Sequence, residues 1–217
     1  MTLAIAKQPA RITDDQADTL TYSFSASITS IDADYAGKKC HGILISNTTV
    51  LTTANCLTTS GQTLFNPRQI TISFTNTPTL FKARNTMIAS KFTPYRYGHN
   101  IGIIQLESAV PPTTATPIKI YQGPKPTIVF GVSNPKTKID APSLVPLNTL
   151  DYASCSVYRN YDNSTQLCVD GRQSCYGDEG EALLVATNST YALVGMASYA
   201  VSGAKGAEPS ACGEANN

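Results

Sequence analysis

Apolar residues at every second position limit this chain more than any other feature. Tyr22, Phe24, Ala26 and Ile28 alternate with small polar residues, and Ile70, Ile72 and Phe74 do the same in "QITISFT". "NIGIIQL", "TIVFGVS" and "YALVGMASYA" are further strand-like runs, parted by clusters of Gly, Pro, Asn and Thr. Successive side chains of a strand point to opposite faces, so a period of two buries one face and wets the other. No segment sustains a 3.6-residue period beyond a turn or two around "LDYASCSVY". The chain reads as all-β, a barrel or a sandwich. Its 217 residues suffice for a sizeable core within one domain.

The stretch "AVPPTTATPIKIYQGPKP", residues 109–126, is Pro-rich, with strand signals on both sides. That pattern fits a crossing between two β-halves of one domain. Charged residues make up 14% of the chain and the net charge is +1, with no basic run. Nothing therefore supplies the electrostatic footprint that nucleic acid or an anionic membrane needs. No apolar run approaches the roughly 18 residues of a membrane span.

The six cysteines are Cys40, Cys56, Cys155, Cys168, Cys175 and Cys212. None forms a CxxC pair, and His41 and His99 are the only histidines, so neither a metal site nor a cofactor is expected. Three disulfides in an oxidising compartment is the better reading, though spacing alone leaves the pairing open. Sequons at Asn47, Asn163 and Asn188 agree with secretion and are candidate N-glycosylation sites. The opening "MTLAIAKQPAR" has an apolar patch too short for a secretion signal, so residues 1–11 read as propeptide-like or tag-derived.

Several stretches in order resemble the trypsin-like (chymotrypsin-fold) serine proteases. "ARITDDQADTLTYSFSASI" is similar to the activation site and first strand, and "CHGILISNTTVLTTANCL" to the Cys-flanked strand pair ending in Ala-Ala-His-Cys. "HNIGIIQL" is similar to the Asn-Asp-Ile-Ala-Leu-Leu strand. "CSVYRNYDNSTQLCVDGRQSCYGDEGEALL" resembles the Cys-to-Cys helix and the Gly-Asp-Ser-Gly-Gly-Pro turn, and "LVGMASYAVSG" the strand lining the specificity pocket. The resemblance implies two antiparallel six-stranded β-barrels with a cleft between them, barrel 1 over about 12–110 and barrel 2 over about 111–217. It also implies the disulfides Cys40–Cys56, Cys155–Cys168 and Cys175–Cys212. The family's final strand and C-terminal helix have no counterpart after "ACGEANN", which would leave an open strand edge.

In this family a Ser attacks the carbonyl, a His takes its proton, and an Asp orients the imidazole. Carried over by resemblance, the His position is Asn55 in "TANC", the Asp position is Asn100 in "HNIG", and the Ser position is Glu179 in "GDEG". A carboxamide is no base near neutral pH, and a carboxylate is a poor nucleophile toward amides. No catalytic residue is therefore expected. His99 adjoins Asn100, but neighbours on a strand point oppositely, and His41 has no nucleophile to activate. The specificity-pocket positions are Gln173, Ser198 and Ala200, and the glycine two residues past the nucleophile becomes Glu181. The oxyanion-hole positions, Gly177 and Glu179, would keep a nest of backbone amides. We expect the Glu179 carboxylate either to accept from such amides, closing the old site, or to extend into solvent. Asp178 would pair with a new N-terminus after cleavage at Arg11-Ile12, or else cap nearby amides.

The implied function is that of a catalytically inactive, secreted protease homologue acting by protein binding. Its expected partner is a host extracellular enzyme, as for the glucanase inhibitor proteins of oomycete plant pathogens, to whose Thr/Ala/Tyr-rich, Trp-free style the chain is similar. The alternatives are an inactive homologue that modulates host proteases or complement, and a hydrolase using Glu179 with Asp178. A glycosidase needs two carboxylates about 5 to 10 Å apart, and no second one is placed across the cleft.

Overall fold

The alternating runs close into a barrel. In a computed structural model, residues 22–31, 37–59, 63–75, 77–93, 98–133, 143–156, 161–169, 179–188 and 190–198 are described. Six strands come first: β1 (Ser25–Ile31), β2 (Gly37–Ser46), β3 (Thr49–Thr52), β4 (Ile70–Phe74), β5 (Leu80–Ile88) and β6 (Gly102–Leu106). They form a closed antiparallel barrel in the order β1-β2-β3-β6-β5-β4, which leaves no edge exposed. Strict alternation in β4 and β6 sends Ile70, Ile72 and Ile104 inward, where all three are fully buried beside Ile28, Leu44 and Val50. Gly42 makes room for this packing, since a Cβ there would stand 2.7 Å from both Ile28 Cδ1 and Val50 Cγ1. Ile43 points the other way yet is 1% exposed, because the outer face of β2 is covered too.

The Pro-rich segment runs along the barrel and into the second half. Val110, Ala115 and Ile118 are buried. The Val110 and Ile118 amides donate to the Asn47 and Leu44 carbonyls at 2.7 and 3.0 Å. One and three residues further on, the Leu193 amide donates to the Lys119 carbonyl and the Tyr121 amide to the Leu193 carbonyl. The segment is thus a seam bonded to both halves.

The second half contains β7 (Ile128–Ser133), β8 (Ser143–Asn148), β9 (Ala182–Ala186) and β10 (Tyr191–Met196), an antiparallel sheet ordered β10-β9-β7-β8. Of the expected second six-stranded barrel, the described residues form a four-stranded antiparallel sheet; the remainder of that half lies outside them. Pro146 sits opposite Phe130 on β8, which is an outer strand among those described, the place in a sheet where proline is tolerated. The one-turn helix α1 (Tyr152–Cys155) falls in "LDYASCSVY", its first turn capped by the Asp151 carboxylate accepting from the Ser154 amide at 2.8 Å. The disulfides Cys40–Cys56 and Cys155–Cys168 form as the resemblance implied. Cys175 and Cys212, together with the expected end of the domain, lie outside the described residues.

Candidate functional site

Three residues far apart in sequence meet where the barrel faces the second half. The Cys40–Cys56 disulfide ties β2 to a single 3-10 turn, Asn55–Leu57, and so fixes where Asn55 lies. The Asn55 backbone amide donates to Asn100 Oδ1 at 3.0 Å, and Asn100 Nδ2 donates to Ser198 Oγ at 2.8 Å. Asn100 is buried, so both ends of its carboxamide have the partners that burial demands. Asn55 Nδ2 donates to Glu179 Oε2 at 2.8 Å. Asn55, Asn100 and Glu179, the residues placed at the triad positions by resemblance, are therefore one hydrogen-bonded chain.

Lys38 completes the cluster. Its Nζ donates to the Asn55 carbonyl at 2.7 Å and to Asn55 Oδ1 at 3.2 Å. Burial pushes the Lys38 pKa down, and the nearby Glu179 carboxylate opposes that shift. Sequence reasoning missed Lys38, although a signal was present. It lies two residues before Cys40 on the same strand, hence on the face that leads to Cys56 and its neighbour Asn55.

The turn carrying Glu179 is wedged against β2. The His41 amide donates to the Glu179 carbonyl at 2.8 Å, and the Gly180 amide to the Ala197 carbonyl at 2.8 Å. Gly180 has φ +89°, and a Cβ there would lie 2.0 Å from the His41 carbonyl oxygen. That oxygen also accepts from Thr52 Oγ1 at 2.7 Å. Only glycine fits so close an approach in this conformation.

The Glu179 carboxylate does not extend into water: among the described residues it accepts from the Asn55 side chain, while Gly177, expected to supply the nest of amides, lies outside them. A carboxamide across the seam lies within reach of the long Glu side chain. His99, expected on a strand, lies in a turn with φ +56°, and β6 begins only at Gly102. His41 Nε2 lies 3.7 Å from Glu181 Oε1, so its imidazole is directed to a carboxylate and not to Asn55 or Glu179. Ser198, expected on a pocket wall, holds Asn100. Gln173, Gly177, Asp178 and Ala200 lie outside the described residues.

Among the described residues the cluster consists of two carboxamides, the Glu179 carboxylate, the Lys38 amine and the Ser198 hydroxyl, joined by hydrogen bonds. The Cys40 and Cys56 sulfurs and a Glu179 oxygen lie within 4.8 Å of one another, but the sulfurs are joined and offer no thiolate to a metal ion. The Asn55 carboxamide has no lone pair basic enough to take a proton near neutral pH.

An antiparallel barrel stitched to a second antiparallel sheet, with a polar cluster drawn from both halves at their seam, defines a chymotrypsin-fold domain. The trypsin family model matches residues 13–216. The chain belongs to the trypsin family.

Proposed function

We propose that this trypsin-family chain is a catalytically inactive homologue, secreted and acting by binding another protein. One observation carries the reading. Among the described residues, Asn55, Asn100 and Glu179 form one hydrogen-bonded chain with Lys38 and Ser198; it contains no imidazole, and its one hydroxyl, Ser198 Oγ, accepts from Asn100. A base and an activated nucleophile are the minimum for acyl transfer. Both disulfides suit an oxidising compartment, and no described helix is long and apolar enough to cross a membrane. Loops on a disulfide-locked scaffold remain a recognition surface after the chemistry is lost.

The partner proposed is a host extracellular enzyme, with an endo-β-1,3-glucanase as the first candidate. The test adds the purified protein to secreted host glucanases and follows β-1,3-glucan cleavage. Saturable inhibition with one-to-one binding supports the reading. Unaffected glucanases, together with inhibition of a host protease by the same preparation, would move the target to the second class.

A further inference from the structure

Two of the three sequons sit on hairpin turns that project from the same end of the molecule, away from the Asn55–Glu179 cluster. β2 leaves the cluster at His41, whose amide bonds the Glu179 carbonyl, and reaches Asn47 at the turn into β3. β9 leaves it just past Gly180 and reaches Asn188 at the turn into β10. At about 3.3 Å per residue each turn lies about 20 Å from the cluster. The two strands keep company on the way. Ile118 bonds Leu44 on β2, and its neighbour Lys119 bonds Leu193 on β10, which pairs with Leu184 on β9.

The third sequon differs in place and in its bonded carboxamide; the Thr49 hydroxyl of the Asn47 sequon is itself an acceptor, from Ser46 Oγ and Gln105 Nε2. Asn163 follows Asp162, which lies within electrostatic reach of His99, the residue before Asn100. Its Oδ1 accepts from the Tyr161 hydroxyl at 3.1 Å, and the Thr165 hydroxyl donates its proton to Asp162 Oδ2 at 2.9 Å. Asp162 Oδ1 also takes the Ser164 amide and hydroxyl. All these bonds join residues within three positions of each other, so the turn can form in the nascent chain. It then holds both the carboxamide and the hydroxyl that glycosylation recognises.

We propose that Asn47 and Asn188 carry N-linked oligosaccharide and that Asn163 stays bare. The inference rests on the reading that the chain is secreted. The donor is a lipid-diphosphate oligosaccharide. Asparagine Nδ2 bonds to the sugar's anomeric carbon and the bond from that carbon to the diphosphate oxygen breaks. The lipid diphosphate leaves with the electron pair, and the carboxamide proton passes to a base of the transferase. Both acceptor asparagines are exposed at their turns. A groove lined by Ile45, Pro117, Ile118, Lys119, Ile120 and Gln122 begins two residues before Asn47 on β2, and carbohydrate on Asn47 would stand near its apolar wall, where Ile120 is 54% exposed. Sugars confined to that end leave the cluster end clear for a protein partner.

The test expresses the full chain behind a secretion leader in a eukaryotic cell and maps peptides of the secreted, disulfide-bonded material after amidase release in heavy-oxygen water. The expected result is near-complete labelling at Asn47 and Asn188, none at Asn163, and the loss of one glycan each in N47Q and N188Q. An unlabelled Asn47 or Asn188 in secreted protein, or a label at Asn163, would overturn the proposal. Peptidase activity in the same material would instead contradict the inactive reading and leave the glycan pattern standing.

Discussion

Asn55 can satisfy Lys38 and Glu179 together in only one amide orientation, oxygen toward the ammonium and nitrogen toward the carboxylate. Replacing Glu179 by Ala removes the acceptor and leaves the Asn55 amide and the Lys38 charge short of a partner. A partly shielded charged hydrogen bond of this kind contributes about 1 to 2 kcal/mol. E179A should lose that much in denaturant melts, and the double-mutant cycle with N55A should show coupling of about 1 kcal/mol. Additive losses would mean the bond is not formed in solution. Lys38 gives a pH signature. Its folded pKa lies below the unfolded value of 10.5, so between the two the unfolded chain binds more protons and stability rises with pH. The stability of wild type relative to K38M should therefore climb as pH is raised toward 10.5, and a flat or falling difference would contradict the buried placement. The identities at Asn55, Asn100 and Glu179 were legible in the sequence by resemblance. Their mutual bonding was not, because it depends on side-chain reach across a seam that no local pattern encodes. Gly180 shows the same limit: nothing in "GDEGEA" says that a Cβ would strike the His41 carbonyl. G180A should cost more than about 3 kcal/mol, and a neutral outcome would show that the turn is free to move.

Among the elements, alternation was readable wherever polar positions were small. β1, β4 and β6 follow it without interruption, and their inward residues are the core. β5, "LFKARNTMI", was missed because Lys82, Arg84 and Asn85 make it look like loop, and its register shifts between Ala83 and Asn85. β8 was missed because Pro146 argues against a strand, which holds for central strands and not for edges. The Cys40–Cys56 pairing is the element that holds the site, since it fastens the Asn55 turn to β2 across a separation of 16 residues. Loop closure on that scale restricts the unfolded chain by about 3 kcal/mol. The double variant C40A/C56A should lose about that much stability and also weaken the coupling between Asn55 and Glu179. Lost stability with unchanged coupling would show that the turn is placed by its backbone alone.

At the scale of the molecule, the seam along residues 109–126 was foreseen as a crossing between halves, and the backbone bonds to Leu44 and Leu193 show how it works. Beyond it, the described residues give one four-stranded sheet. The second half reads in sequence as strands broken by long Gly-, Pro- and Cys-containing loops, and what those loops do depends on contacts with no local signal. The pairing of Cys175 with Cys212 is a further expectation, checked by peptide mapping without reduction, and a Cys155–Cys175 linkage is excluded by the disulfide already formed to Cys168. The central claim is that this trypsin-family scaffold has lost its chemistry. The most direct measurement incubates the wild-type protein and E179S with a panel of peptide and ester substrates and with a fluorophosphonate that labels activated serines. The expected result is no turnover and no labelling for either, because a lone serine beside Asn55 has no base. Turnover by the wild-type protein that disappears in E179Q, or labelling of E179S at position 179, would contradict it.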